Sequence, residues 1–128
     1  MKLAPIILFT FKRLDTLKQT VEALQKNYLA SDSDLIIYSD SAKKKSDEEA
    51  VNKVRAYLKT VQGFKSISIQ ESSINKGLAK SIIEGVTEVL NHHETVIVLE
   101  DDLVSSSNFL NYMNEALYFY KNEHVFFL

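Results

Sequence analysis

Short runs rich in β-branched and aromatic residues alternate with longer stretches of helical period, four times over. That alternation narrows the fold more than any other feature of the chain. The first strand is expected at 5–11 (PIILFTF), the second at 34–40 (DLIIYSD), the third at 66–70 (SISIQ) and the fourth at 95–100 (TVIVLE). A helix with Leu14, Leu17, Val21, Leu24 and Tyr28 on one face follows the first. Val51, Val54, Leu58 and Val61 mark the second helix. Ser46 to Glu49 has the pattern of a capping box at its start, and Gly63 stands where it should end. The third helix opens after Asn75 to Gly77 and turns Leu78, Ala79, Ile82, Ile83, Val86 and Leu90 inward. The fourth carries Phe109, Leu110, Met113, Leu117 and Tyr120, with Ser105 to Ser107 as its N-cap. VFFL at 125–128 reads as a fifth strand.

Strand–helix alternation of this kind predicts an α/β chain, a mostly parallel sheet between two helix layers. The first and fourth strands are almost wholly apolar, as strands covered on both faces should be. With 128 residues, 45% hydrophobic and 25% charged, the chain suits one domain over 1–128. A net charge of −2 offers no sequence-independent grip on nucleic acid. There is no cysteine, hence no disulfide and no thiolate metal site. The apolar N-terminal run is short, is broken by Pro5 and lacks a small-residue cleavage site, so it reads as a strand rather than a signal peptide. No stretch approaches a transmembrane length, and a soluble cytoplasmic protein is the expectation. The apolar ending leads to the expectation that the chain is part of a longer protein, with a bare sheet edge that favours self-association.

In an open parallel sheet, ligands bind beyond the carboxyl ends of the strands. Thr10 to Arg13 follow the first strand, Asp40 the second, Glu71 and then Asn75 to Gly77 the third, and Glu100, Asp101 and Asp102 the fourth. Three adjacent carboxylates repel one another. They read either as a turn cap with solvated neighbours or as oxygen ligands for Mg²⁺ or Mn²⁺, with substrate phosphates completing the shell. Their place directly after an apolar strand, beside residues suited to a nucleotide, favours the metal. His92, His93 and His124 lack ligand spacing, and the aromatic residues of the fourth helix read as core, with Tyr112 and Tyr118 the more exposed. A nucleotidyltransferase would want a glycine-rich loop after the first strand. A phosphoacceptor receiver would want its acidic pair there and an aspartate after the third strand. Neither is present.

PIILFTFKRLDTLKQTVEAL, LIIYSDSA, INKGLAKSIIEGV and VIVLEDDLVSSSNFLNYMNEAL, in that order, resemble the nucleotide-sugar half of a GT-A glycosyltransferase. The EDD block, a DXD-like motif, is most similar to the N-acetylglucosaminyltransferase I-like group, and family 2 glycosyltransferases are the next nearest. The resemblance implies a three-layer Rossmann-like, truncated GT-A fold and a UDP-sugar donor. It implies uridine-facing roles for Thr10, Phe11, Arg13 and Asp40, and donor contacts near Asn75 and Lys80. Asp101 would lie near the sugar or ribose, and Asp102, with Glu100, would hold Mn²⁺ or Mg²⁺ on the diphosphate. It further implies hexosyl or N-acetylhexosaminyl transfer with inversion to a glycan, lipid or protein hydroxyl. The catalytic base is expected beyond Leu128, so the chain alone would be inactive. The alternative is a non-catalytic nucleotide- or sugar-binding module of the same fold.

Overall fold

The computed structural model describes residues 2–120. The expected strand at 125–128 and His124 lie outside the described residues. Four strands form one parallel sheet: β1 (Ile6–Thr10), β2 (Asp34–Ser39), β3 (Ser66–Glu71) and β4 (Ile97–Glu100), in the order β3-β2-β1-β4. Helices α1 (Leu14–Gln25), α2 (Glu48–Leu58), α3 (Leu78–Leu90) and α4 (Phe109–Phe119) join and follow them.

The strand order explains the layers. The chain builds outward from β1 through β2 to β3, then crosses back to the far side of β1 to make β4. Parallel crossovers are right-handed, so reversing their direction moves the connecting helix to the opposite face. α1 and α2 accordingly share one face with α4: Leu17, Val21, Leu24, Val54, Leu58, Leu110, Met113 and Leu117 pack on Ile6, Leu8, Leu35, Ile37, Ile97 and Leu99. α3 alone covers the other, setting Ile82, Val86, Val89 and Leu90 against Ile7, Phe9, Val96 and Val98. The expected three-layer α/β/α arrangement is present.

Several local expectations fail for tertiary reasons. Tyr28 lies beyond the end of α1 and is 71% exposed. Val61 also falls outside α2. No capping box forms: residues Lys45–Asp47 make a 3₁₀ turn, Asp47 is the N-cap without a side-chain cap bond, and its carboxylate takes Lys12 at 2.8 Å instead. α2 ends at Leu58, and Gly63, at φ 97°, turns the chain later, on the approach to β3. The serine run does not cap α4, whose N-cap is Asn108. The amide of Leu110 in its first turn instead donates to Asn27 Oδ1, at 2.9 Å, and Asn27 Nδ2 donates to Ser105 Oγ. Leu78, Ala79 and Ile83 on α3 are exposed, as are Phe119 and Tyr120 on or beside α4. Tyr112 and Tyr118 are exposed as expected.

Gly85 sets the closeness of α3 to the sheet. A β-carbon there would meet Phe9 Cζ at 3.0 Å and Tyr38 Cε2 at 3.1 Å, so any side chain would have to push that ring pair back by a few tenths of an ångström for the helix to sit as close.

Candidate functional site

The chain order reverses between β1 and β4, and the loops that follow these two strands meet at the carboxyl edge of the sheet. A cleft of about 310 Å³ lies at this edge, on the α3 side. β1 and its loop supply Phe9, Thr10, Phe11, Lys12 and Arg13. Tyr38 comes from β2 and Asp40 and Lys43 from the loop after it, Asn75, Gly77, Leu78 and Ser81 from the entry to α3, Glu100 from the end of β4 and Asp101 from the turn that follows. The expected residues Thr10, Phe11, Arg13, Asp40, Asn75, Glu100 and Asp101 therefore meet in one place. Asp102 does not line the cleft but lies beside it through its contact with Arg13. Lys80 is exposed and is not part of the lining.

Sequence reasoning passed over Phe9, Tyr38, Lys43, Leu78 and Ser81. Phe9 and Tyr38 are register partners on β1 and β2, so their rings stack at 5.4 Å and 20° and form an apolar floor. Strand alternation held a signal: both belong to the face opposite Leu8 and Ile37. Burial, with the Glu88 carboxylate 3.5 Å from its hydroxyl, pushes the Tyr38 phenol up to about 12 and keeps it neutral.

Across the switch point, Arg13 Nη2 donates to Asp101 Oδ1 at 3.1 Å and comes within 3.8 Å of Asp102 Oδ2. Arg13 is the N-cap residue of α1, yet its side chain makes no cap bond; it is spent on the acidic turn after β4. Asp101 is 7% exposed. Burial raises its pKa above the usual aspartate value; Arg13 and the Phe11 backbone amide oppose the rise, and Asp102 adds to it. Glu100 is paired with Phe9 in the β1–β4 register and so faces the α3 side, where it has no hydrogen-bond or ion-pair partner among the described residues.

Among the described residues, no group of three or more His, Asp or Glu is placed to hold a metal ion. Glu100 and Asp102 are hard oxygen donors that suit Mg²⁺ or Mn²⁺ only in the mode where one or two carboxylates act and substrate phosphates complete the shell.

The β2 side of the cleft is already satisfied. Asp40 Oδ1 accepts from the amides of Ser41 and Lys76 and from Ser72 Oγ, at 2.9 to 3.0 Å. Its Oδ2 accepts from the Gly77 amide at 3.0 Å and Asn75 Nδ2 at 3.2 Å. Five donors fill the lone pairs of one carboxylate. Asp40 thus lines the cleft while its charge anchors the loop that starts α3. Gly77, at φ 80°, makes the close turn that aims its amide there. Beneath, Arg55 donates to Ser39 Oγ and to the carbonyls of Ser39 and Ser72, tying β2 to β3. Ser41 Oγ also donates to the Ser72 carbonyl. Among the described residues no buried side-chain polar atom lacks a partner, and no helix is long and apolar enough to cross a membrane.

No family model and no curated protein matches the chain. Solved structures do. A structure of S. aureus TarS 1–349 aligns with a TM-score of 0.60 at 12% identity, over 96% of this chain and 33% of that one. A structure of S. aureus TarS aligns at 0.63 and 14%, over 96% of this chain and 20% of that one. TarS 1–349 in complex with UDP-GlcNAc aligns at 0.59 and 12%, over 96% and 32%. The likeness establishes a shared fold. The chain spans about a third of TarS 1–349.

Proposed function

We propose that this chain is the nucleotide-sugar-binding part of a GT-A glycosyltransferase that uses Mn²⁺ or Mg²⁺ and a UDP-sugar such as UDP-GlcNAc. The observation that carries the reading is the cleft at the switch point. All four strand ends contribute to it, directly or through the loop that follows, and it pairs an apolar aromatic floor with cations and carboxylates. Such a mixture suits a ligand that is part ring and part diphosphate. The fold shared with TarS, which has been solved with UDP-GlcNAc bound, supports it independently.

In this reading Phe9, Phe11 and Tyr38 receive the base, and Thr10 offers a hydroxyl beside it. Asp40 and Asn75 contribute by holding the loop rather than by contacting the ligand. Lys43, which has no ion-pair partner among the described residues, and Arg13 face the phosphates. Asp101 lies near the ribose or sugar, while Glu100 and Asp102 hold the divalent cation. When bound, that cation supplies Lewis-acid stabilisation of the departing diphosphate. Inversion at the anomeric carbon requires a base on the acceptor side, and no described residue is assigned to it. The likeness to N-acetylglucosaminyltransferase I-like or family 2 enzymes belongs to this proposal.

A non-catalytic binding module is the second reading. It is favoured by the position of Asp102, which lies beside the cleft and does not line it. Calorimetric titration of UDP, with and without Mn²⁺, separates the two. The enzyme reading expects Mn²⁺-dependent binding that Asp102→Ala abolishes. Metal-independent binding unaffected by Asp102→Ala favours the module. Silence with this chain and with one extended past Leu128 refutes both.

A further inference from the structure

The Arg13 guanidinium lies between the two carboxylates of the acidic turn. Its Nη2 is 3.1 Å from Asp101 Oδ1 and 3.8 Å from Asp102 Oδ2. Asp101 is buried and Asp102 is half exposed, so one carboxylate anchors the cation and the other faces solvent beside it. The Arg13 side chain is itself 58% exposed and makes no cap bond to α1, so the acidic turn is what holds its head group. The neighbouring cations are placed differently: Lys12 is committed to Asp47 at 2.8 Å, and Lys43 pairs with no described carboxylate. A bare divalent ion arriving at Asp102 would therefore stand within a few ångströms of a fixed positive charge, at a site where partial burial strengthens the repulsion.

We propose that Arg13 is an internal counter-ion that bars a bare divalent cation from the acidic turn and yields the turn to a cation that arrives with a diphosphate. The proposal rests on the nucleotide-sugar reading of the cleft. A diphosphate reverses the balance in two ways. Its oxygens complete the cation's shell, and they offer the planar guanidinium a bidentate partner better matched than one oxygen of Asp101. The swing is easy because an ion pair with one exposed member holds weakly. Metal and nucleotide then tighten one another, reciprocally, through one side chain.

Nucleotide-free Mn²⁺ affinity, read from the electron paramagnetic resonance of free Mn²⁺, tests this on the chain itself and on its Arg13→Gln and Arg13→Lys variants. The unmodified chain should take Mn²⁺ weakly without UDP. Arg13→Gln should raise that affinity about tenfold, since a repelling charge is gone, while Arg13→Lys, which keeps the charge, should stay near the unmodified value. Unchanged Mn²⁺ affinity in Arg13→Gln, with UDP-dependent Mn²⁺ binding intact, overturns the proposal and leaves the nucleotide reading standing. Absence of Mn²⁺ binding in every variant, even with UDP, overturns both. A second measurement needs no variant. The Nε–H resonance of Arg13 should shift when UDP and Mg²⁺ are added together and stay put with Mg²⁺ alone. A resonance unmoved by bound UDP, or moved by Mg²⁺ alone, overturns the proposal.

Discussion

The two halves of the cleft edge are built on opposite plans. Where β2 and β3 end, Asp40 takes five hydrogen bonds, and Arg55 spans three serines below it. Where β1 and β4 end, Arg13 makes one hydrogen bond to Asp101, and Glu100 has no partner among the described residues. A carboxylate that accepts from backbone amides shapes the protein; one left with spare lone pairs can shape a ligand. The first half is finished on folding. The second is left to be completed.

Asp40→Ala should strike the finished half hardest. It strands the Lys76 and Gly77 amides and takes one acceptor each from the Ser41 amide, Asn75 Nδ2 and Ser72 Oγ, and should lower stability by about 3 kcal/mol, since donors to a charged acceptor are left unpaired. Thermal unfolding checks this, and a loss no larger than that of Asp102→Ala would erase the contrast. Gly85→Val should cost roughly 2 kcal/mol, because the added carbons overlap Phe9 and Tyr38 and push α3 outward. Urea titration measures the cost, and near-ultraviolet circular dichroism of the tyrosines reports whether the floor has moved.

Asp101 belongs to the open half, and its titration sharpens the comparison. Its folded pKa is raised, chiefly by burial, so the folded state keeps the proton to higher pH than the unfolded chain does. The stability it contributes is full below the ordinary aspartate value, about 4, and is lost as pH rises through the raised pKa. Asp101→Asn cannot titrate, so relative to it the unmodified chain should lose stability across that interval and then level off. Urea midpoints measured at a series of pH values decide it. A gain in the unmodified chain's stability relative to Asp101→Asn as pH rises would mean that Arg13 outweighs burial. Smallest of all, Lys43→Gln should leave the melting temperature unchanged, because the side chain is exposed and unpaired with any described carboxylate, while weakening UDP binding measured by calorimetry. Equal UDP affinity would remove Lys43 from the site.

Local sequence was a good guide wherever local physics governs. The apolar runs before Thr10 and Glu100 are strands because both their faces are covered, and the spacing of Leu17, Val21 and Leu24 marks the buried stripe of α1. It was a poor guide to caps. Ser105 to Ser107 have the chemistry of an N-cap, yet the cap bond to Leu110 comes from Asn27, 83 residues away. On α3, Leu78 and Ile83 obey a helical period and still face outward, because Gly85 and Val89 take the contact with the sheet. Periodicity names a stripe; it does not say how far round the helix the neighbouring layer reaches.

The site divides along the same line. That Thr10, Arg13, Asp40, Asn75, Glu100 and Asp101 would gather at one edge follows from residue order alone, since every strand is parallel and its end lies at that edge. Which of them is free to bind was decided only in three dimensions. Asp40 and Glu100 are both carboxylates at strand ends, but the turn at Gly77 brings two amides and an asparagine to the first, and no described group reaches the second. Sequence carries the chemistry of a side chain, and the chain's return path decides whether that chemistry is already satisfied when the ligand arrives.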